Sequence, residues 1–499
     1  MKQFLYGASI QGIQSFIFQT NELKDIVGAS ELVQDVCTKT FIAFLEKESL
    51  SGELIVSAAG NVKCLLDENA CQKVVKYFPK KVMEAAPGIT VSQAVVPFEG
   101  NFSEAVNELE KALRAQRNKP LKSLTTGLMG TERSRKTGLP AVERDQENNY
   151  LDEGSIKKKE KNNTIELCKK SFGLSNLSAS EVAFDIKDMT GRNDWIAIIH
   201  VDGNGLGEIV RNIGTDKERL QEFSKNLEDK TRAAAQSTFS DIVEKFKIDG
   251  KWGSKRIPLR PVVLSGDDMT IICRGDIALP YATQFLKHFE EETRDIATDG
   301  NGNRYSLTAC AGIAYIKSSY PFYYGYQLAE ALCSQAKKDA KSDKMKEANG
   351  CKVMSCLMFH KVQSSFVEDY KEIIGKELTA AENHRFDFGP YYLFEVGQGR
   401  WTIEKLEQAV QKLINTEESK DGNAVKSTLR KWMTAMHADR AMAEQLKNRA
   451  KTIIANDELN NLFKEATTPQ SRDEKKYYPV YDILSLSSVT YQDTKGDRK

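Results

Sequence analysis

One order of strands and helices occurs twice along the 499-residue chain, and it restricts the fold more than any other feature of the sequence. Residues 1–115 alternate strand and helix in the order βαββαβ, beginning with the strand "QFLYGASI". Residues 191–360 follow the same order, from a buried strand at 194–202 through a hairpin at 262–273. This order predicts an antiparallel sheet covered by helices in each half. The chain is therefore expected to contain an internal duplication.

The remaining segments lie between and after the two halves. Residues 116–190 are rich in charge, Gly, Asn and Ser, which predicts an irregular insertion with a long exposed loop at about 143–163. Residues 361–499 are helical and polar from about 400 onward, and the final stretch "YYPVYDILSLSSV" is expected to dock back on the body. A chain of this length exceeds one core. We expect an α/β fold of the α+β type, with two ferredoxin-like βαββαβ domains, the insertion and a C-terminal helical bundle.

Composition and charge exclude several classes of protein. No apolar run reaches the roughly 18 residues of a membrane helix, and the N-terminus lacks the pattern of a secretory signal. The nine cysteines include no CxxC pair, which favours reduced thiols in a cytoplasm and a role in core packing. The net charge of +1 gives no general signature of nucleic-acid binding. Basic stretches at 111–122, 131–136 and 157–161 are interpreted as solvated faces or connectors, with direct RNA or DNA contact as the alternative.

Two neighbouring acids interrupt an apolar hairpin in the second half. The four residues Ser265, Gly266, Asp267 and Asp268 form the predicted tight turn, and Asp202 ends the first strand of the same half. In a βαββαβ sheet these two strands are central neighbours, so the three carboxylates converge. Three acids at one point repel one another unless cations neutralise them, and oxygen ligands suit two Mg²⁺ or Mn²⁺ ions. Such a pair of ions favours nucleotidyl transfer.

Two further motifs support this chemistry. The stretch "DGNGLG" (202–207) leads from the strand into a helix, so free backbone N–H groups there are expected to contact phosphate oxygens. Lys337 or Lys338, on the helix after the last strand, is expected to supply positive charge to a triphosphate. The alternative for both lysines is an ordinary exposed helix face.

Superposing the two halves in sequence shows that only the second retains the acids. When Gly12 is matched to Gly205, Ser9 falls on Asp202. The stretch "SAAGNV" then falls on "LSGDDM", which places Gly60 and Asn61 on the two hairpin acids. The halves are therefore expected to share a scaffold while differing in chemistry.

Two other interpretations of these residues are weaker. The stretch "GNGLGE" resembles a dinucleotide-binding fingerprint, but Glu208 replaces its third glycine and the surrounding element order is unsuitable. The residues "SGDD" could serve only as turn formers, since Gly and Asp favour turns. The duplication and the matching Asp202 favour the metal site.

Several stretches together resemble the large palm-domain subunit of type III CRISPR effector complexes. They are "ASIQGIQSFIFQTNELKDIVGASELV", the hairpin "SAAGN", "KTGLPAV", "HVDGNGLG" and "SGDD", and they cover most of residues 1–350 in the expected order. More distantly, the second half is similar to the GGDEF diguanylate cyclases, whose hairpin and "AK" helix match "SGDD" and Ala336-Lys337.

The resemblance implies a degenerate first palm domain at 1–115 and a catalytic second palm domain at 191–360. The second palm would bind two metal ions through Asp202, Asp267 and Asp268, and would convert ATP or other nucleoside triphosphates into cyclic oligonucleotide messengers for antiviral defence. Ser265 and Gly266 would shape the turn of this site, and Gly203, Asn204 and Gly205 would line the phosphates. The first palm would hold the acceptor nucleotide near its own set, Ser9, Gly60 and Asn61.

The sequence departs from the family in three respects. It begins with the first palm, without the N-terminal nuclease domain of many members; its hairpin has Ser265 in place of a first glycine; and Arg133 to Lys136 stand where zinc-binding cysteines are expected, so no structural zinc is predicted. Subunits of a guide-RNA effector complex and RNA are the implied partners, with a stand-alone relative as the other possibility. The alternative function is a catalytically silent palm scaffold that binds RNA or protein partners.

Overall fold

A computed structural model shows the two halves as separate sheets that share one strand order. It describes residues 2–58, 60–119, 130–190, 194–213, 216–248, 256–298, 302–363, 369–380, 383–415 and 420–489. None of the helices within these residues has both the length and the apolar character needed to cross a bilayer.

The first domain has the predicted βαββαβ order with extra helical turns. Its elements are β1 (Gln3–Gln11), α1 (Ile13–Ile17), α2 (Leu23–Asp35), α3 (Phe41–Lys47), β2 (Gly52–Ala58), β3 (Asn61–Asp67), α4 (Glu68–Ala85), β4 (Thr90–Phe98) and α5 (Phe102–Arg117). The four strands form an antiparallel sheet in the order β2-β3-β1-β4. Helix α4 begins where the Asp67 carboxylate accepts a hydrogen bond from the Ala70 N–H at 2.8 Å. It then buries Val74, Phe78 and Val82, which recur every four residues on one face.

The insertion is more ordered than the sequence predicts. It contains β5 (Glu143–Arg144), β6 (Tyr150–Leu151), α6 (Glu153–Glu160) and α7 (Glu166–Phe172). The expected long exposed loop at 143–163 is therefore wrong. Asp152 caps α6 by accepting the Ser155 N–H at 3.1 Å, and the buried Lys158 donates from Nζ to the Phe16 carbonyl at 2.7 Å. These contacts hold α6 against the first domain, and they give part of the basic stretch at 157–161 a structural role.

The second domain repeats the fold of the first and enlarges it. Its elements are β7 (Trp195–Asn204), α8 (Leu206–Ile213), α9 (Lys217–Ile248), β8 (Leu259–Ser265), β9 (Asp268–Arg274), α10 (Gly275–Glu292), β10 (Ala297–Thr298), β11 (Arg304–Tyr305), β12 (Thr308–Lys317), α11 (Phe322–Ala340), α12 (Asp343–Ala348) and β13 (Cys356–Lys361). The central order β8-β9-β7-β12 is that of β2-β3-β1-β4, and β13 adds a parallel strand beside β12. The predicted duplication and the α+β class are confirmed.

The C-terminal region combines helices with short strands. It contains α13 (Tyr370–Lys376), β14 (Thr379–Ala380), β15 (His384–Arg385), β16 (Tyr391–Tyr392), α14 (Ile403–Asn415), α15 (Lys420–Ala438), α16 (Arg440–Ile453), α17 (Asp457–Thr467), β17 (Gln470–Arg472), β18 (Lys475–Tyr477) and α18 (Val480–Ser487).

The strands of this region were not expected from its helical periodicity. Strands β14, β15, β18 and β17 form a small sheet, and β16 pairs with β13 of the second domain. The prediction that residues 361–499 form a purely helical domain is therefore incomplete, because this region also contains short strands. The domain limits at 115, 190 and 360 stay a prediction. The final helix α18 is buried along all its residues, as expected for a segment that docks on the body.

Helix α11 lies directly on the second sheet because β12 carries a glycine at the contact. A Cβ atom on Gly312 would overlap the Ala329 carbonyl oxygen and lie in contact with the Cys333 N–H. Both obstacles are helix backbone, which cannot rotate away as a side chain can.

We therefore expect Gly312→Ala to separate α11 from the sheet and to destabilise the second domain by about 1–3 kcal/mol or more. Urea unfolding monitored by circular dichroism would measure the loss. Gly375→Ala is the matched control, since Gly375 is exposed on α13 with open space around it, and this change should be neutral or slightly stabilising. Equal stability of the two variants would contradict the packing role of Gly312.

Candidate metal and nucleotide site

The three predicted acids meet at one end of the second sheet. Strands β7 and β9 pair antiparallel up to Val201 opposite Met269, so the next pair in this register is Asp202 and Asp268. One ligand oxygen from each of Asp202, Asp267 and Asp268 lies within 4.8 Å of the others. This spacing suits shared coordination of divalent cations by carboxylate oxygens.

The hairpin that carries two of the acids is held by two glycines. Ser265 pairs with Asp268, which leaves a two-residue loop of Gly266 and Asp267, and Gly266 has a φ of 61°. A positive φ at the first loop position is typical of the II′ turn and favours glycine there. On the neighbouring strand, a Cβ on Gly203 would lie 2.7 Å from the Asp267 Cβ and Oδ2 atoms. The absence of a side chain at Gly203 therefore provides the space that the Asp267 side chain occupies.

The carboxylates disfavour one another's ionisation. Enclosure by surrounding protein atoms raises the pKa of Asp267 to about 6, and the Asp202 charge adds to this rise. The same enclosure, followed by the charges of Asp267 and Asp202, raises the pKa of Asp268 to about 8, although part of its side chain is open to solvent. Asp267 and Asp268 titrate together and bind protons near neutral pH when no cation is present. A set of oxygen donors in this state fits divalent metal ions, which would displace the protons.

Helix α11 supplies one positive and one negative side chain to the site. Lys337 Nζ lies 2.6 Å from Asp202 Oδ2, so of the two candidate lysines it is Lys337 that contacts the acids. Glu330 is seven residues earlier, on the same face of the helix, and its charge contributes to the raised pKa of Asp268. The site thus contains four carboxylates and one close ammonium group.

Gly205 and Asn204, in the glycine-rich stretch, already make hydrogen bonds within the protein, and those of the Asn204 side chain limit how this residue could contact a phosphate. Gly205, with a φ of 82°, starts α8 by accepting the Glu208 and Ile209 N–H groups through its carbonyl. The Asn204 side chain is buried and donates from Nδ2 to Thr308 Oγ1 at 3.1 Å. Any phosphate contact by Asn204 is therefore left to its backbone.

The first domain places its own residues at the equivalent positions. Ser9 pairs with Asn61, and the Ile10 N–H donates to the Gly60 carbonyl at 2.8 Å. Because Ser9 pairs with Ser92 on β4 just as Asp202 pairs with Cys310 on β12, the predicted match of Ser9 with Asp202 has a counterpart in strand register.

The first domain has a cationic side chain, Arg117, at the position equivalent to Lys337 of the second domain. Arg117 donates from Nη2 to Ser9 Oγ at 3.1 Å. Arg117 and Lys337 each lie 16 positions after the residue that precedes their helix, at 101 and 321 respectively. The pair Arg117–Ser9 is therefore the counterpart of Lys337–Asp202, with the carboxylate replaced by a hydroxyl.

A cavity of 830 Å³ opens beside this arginine in the first domain. Its polar lining comes from the end of β1, from α1 and the residues after it, from β4, and from the end of α5 and the residues after it. The polar lining residues are Gln11, Ser15, Gln19, Thr90, Ser92, Gln93, Gln116, Arg117 and Lys119. Two cations and no acid are among the lining residues that the structure describes. The cavity has the size of a small-molecule site and favours an anionic ligand.

Helices α1 and α11 connect the two domains beside the acids. Gln14 donates from Nε2 to Glu330 Oε1 at 3.0 Å, and the rings of Phe18 and Tyr326 stack with centroids 4.2 Å apart. The acid cluster of the second domain therefore lies at the boundary with the first.

Comparison with known proteins agrees with this architecture. Residues 195–346 match the second palm domain of the Cas10/Cmr2 family. The palm-domain resemblance inferred from the motifs is confirmed by this match. No curated protein matches the chain in sequence.

Solved structures extend the likeness to the whole fold. A chain of a Csm1–Csm4 cassette in complex with cA4 is 14% identical, with a TM-score of 0.57 over 98% of this chain and 69% of that one. The cassette in complex with AMPPNP gives 15% identity and a TM-score of 0.57 over 98% and 70% of the two chains. The Csm1–Csm4 subcomplex of the type III-A CRISPR-Csm interference complex gives 15% identity and a TM-score of 0.52 over 98% and 69%. These similarities establish a shared fold.

Three polar residues of the palm boundary were not predicted from the sequence. Glu330 had a usable signal, because it lies two helical turns before Lys337 on one face. Arg117 would have emerged from aligning the two helices by their starting residues. Gln14 had no signal, since its contact with Glu330 joins segments 316 residues apart.

The raised pKa values predict how the metal-free protein responds to pH. The folded state retains protons on Asp267 and Asp268 that the unfolded chain loses near pH 4, so stability should fall as pH rises from about 4 to about 8. Mg²⁺ or Mn²⁺ should oppose this fall. We expect Asp268→Asn to raise the metal-free melting temperature at pH 8 and to abolish the increase caused by metal.

Thermal denaturation with EDTA, and with each metal, measures both effects. Asp343→Asn, at an exposed position on α12, is the control and should leave the metal response intact. A metal-induced increase that persists in Asp268→Asn would contradict the assignment of Asp268 as a ligand.

Proposed function

We propose that this protein is a metal-dependent nucleotidyltransferase that joins nucleoside triphosphates, ATP among them, into cyclic oligonucleotide messengers in type III CRISPR-like defence. The observation that carries the proposal is the convergence of Asp202, Asp267 and Asp268 within 4.8 Å, next to Lys337. The first palm, which lost these acids, holds the nucleotide that provides the attacking hydroxyl.

The reaction needs few groups from the protein. A ribose hydroxyl attacks the α-phosphate of a triphosphate, a phosphodiester bond forms, the hydroxyl proton is lost and pyrophosphate leaves. Bound Mg²⁺ or Mn²⁺ would supply activation of the hydroxyl and neutralisation of the pyrophosphate. Asp202, Asp267 and Asp268 would hold these ions.

The remaining predicted residues have positioning roles in this proposal. Lys337 provides a point charge for the triphosphate once the metals take over Asp202. Backbone N–H groups at Gly203, Asn204 and Gly205, where β7 ends before α8, contact phosphate oxygens. Ser265 and Gly266 shape the turn under the donor nucleotide. In the first palm, Arg117 beside Ser9, Gly60 and Asn61 contacts the acceptor phosphates.

The proposed partners and location follow from the same similarity. Nucleotide-bound Csm1–Csm4 cassettes are among the similar structures, which supports subunits of an effector complex as partners. All nine cysteines are free and eight are buried, which fits the reducing cytoplasm as the proposed location.

Product analysis tests the activity directly. Purified protein incubated with ATP, with each other triphosphate and with mixtures, in Mg²⁺ or Mn²⁺, should release pyrophosphate and yield cyclic or linear oligonucleotides visible by mass spectrometry. We expect Asp267→Ala/Asp268→Ala to lose at least about a hundredfold in rate, because the metal ligands are removed.

The double variant Asp343→Ala/Asp457→Ala removes two exposed acids from helix starts and serves as the control. Intact ATP binding without product, both for the protein alone and in extract of infected cells, would overturn the enzyme assignment and favour a palm scaffold.

Arg117 provides a separate prediction for the acceptor subsite. Because Arg117 contacts Ser9 in the first palm and the acids lie in the second, Arg117→Ala should raise the nucleotide concentration at half-maximal rate by about tenfold. The metal dependence of the rate should stay unchanged. Arg114→Ala, also exposed in the last turn of α5, is the matched control. A change in metal dependence with unaltered nucleotide dependence would refute this role.

A further inference from the structure

A second basic cavity lies at the opposite end of the second palm sheet, against the C-terminal region. Its volume is 600 Å³. It lies between the ends of β7, β12 and β13 and the helices α15 and α18, and its lining includes Trp195, Lys317, Tyr320, Lys361, Val362, Gln363, Arg430, Met433, Thr434, Tyr481, Leu484, Ser485 and Ser488. Trp195 begins the strand that Asp202 nearly ends, and seven residues of extended chain put the two sites roughly 23 Å apart. The cavity is therefore separate from the acid cluster.

Three cationic side chains from different elements converge in this cavity. Lys317 and Lys361 place their Nζ atoms 4.1 Å and 4.3 Å from the ring centroid of Trp195. Lys361 is buried, with its Nζ also donating to Ser488 Oγ. Arg430 reaches the cavity from α15. The sheet and the helical region thus each contribute positive charge to one enclosed space.

The charge balance of the cavity favours an anion. No acidic residue is among the lining residues that the structure describes. Burial, followed by the charges of Lys317, Arg430 and Lys426, lowers the pKa of Lys361 to about 8. Lys361 and Arg430 come from different elements and line the same partly buried space, where a bound anion would interact favourably with both.

The rest of the lining is suited to a nucleoside rather than to a bare ion. Tyr320, Met433 and Leu484 line the cavity with aromatic and apolar surface. The volume is within the range of cofactor and nucleotide pockets and far exceeds the space that a single phosphate needs. An aromatic or apolar wall beside a cationic one is the arrangement that a base with a phosphate requires.

We propose that this cavity binds a nucleoside phosphate, with its phosphate between Lys317, Lys361 and Arg430 and its base against Tyr320 and Met433. The site adds a third nucleotide position to the two of the palm domains. It does not depend on the proposed catalysis, because none of its residues belongs to the acid cluster.

A methyl resonance in the cavity reports occupancy of this site alone. The full-length protein, labelled with [¹³C-methyl]methionine, would be titrated with ATP in the presence of EDTA, and Met433→Leu would assign the Met433 signal. We expect a saturable shift of this signal. Arg430→Glu should weaken the apparent affinity at least about tenfold, because a charge-assisted contact to phosphate is replaced by repulsion.

Lys431→Glu introduces the same change at the next residue of α15, exposed and outside the cavity, and should leave the affinity within about twofold of the wild type. A Met433 signal unmoved by millimolar ATP, or one that moves equally in Arg430→Glu, would overturn the proposal. Loss of oligonucleotide synthesis bears only on the acid cluster, so the two proposals fail independently.

Other ligands identify the chemistry that is recognised. Adenosine should leave the Met433 signal unmoved and inorganic phosphate should shift it with weaker affinity than ATP, as expected when both charge and base contribute. A short single-stranded RNA that binds more tightly than ATP with the same Arg430 dependence would overturn the small-nucleotide assignment and indicate a nucleic-acid contact.

Discussion

Repulsion among three carboxylates is the constraint around which the second palm is built. Strand pairing brings Asp202 next to Asp268, the hairpin adds Asp267, and the backbone does not let any of them move away. The surroundings lessen the cost through protonation of the hairpin acids and through the Lys337 ammonium on Asp202. Cations would remove this repulsion, so the arrangement of carboxylates is suited to binding them. The close packing of α11 on Gly312 contributes to this site, because it positions the helix that carries Lys337.

The duplicated fold places two different sets of side chains on one strand order. Both palms keep the strand order, the helix after the fourth strand and a cation sixteen positions into that region. In the first palm the acid is replaced by Ser9, so Arg117 is no longer neutralised by a carboxylate and is left to interact with a hydroxyl. The two equivalent positions therefore differ in charge while sharing their strand register. The Gln14–Glu330 hydrogen bond joins the two domains beside the acid cluster. The proposed reaction between two nucleotides would use both domains.

Prediction from sequence succeeded where local pattern and pairing agree. The alternation of strand and helix set the topology, and the topology alone put Asp202 beside the hairpin acids. It failed at 143–163 and in the strands after 378, because polar composition there resembles that of a loop while the order comes from distant contacts. Lys158, for example, donates a hydrogen bond to the Phe16 carbonyl 142 residues away, and β16 pairs with β13 of the second domain. Asn204 illustrates the limit within the site, since its position was predicted but the direction of its buried side chain was not.

The sequence by itself determined the two palm folds, the acids and the loss of those acids in the first half, because these depend on periodicity and on residue identity at fixed spacing. Only the tertiary structure decided which lysine contacts the acids and that Arg117 contacts Ser9 at the equivalent position of the first domain. It also decided that Lys317, Lys361 and Arg430 meet in a cavity far from the acid cluster. The physical reason is that these contacts join side chains from elements far apart in the chain. Their distances depend on how the sheets, α11 and the C-terminal helices pack together, which no local pattern of residues encodes.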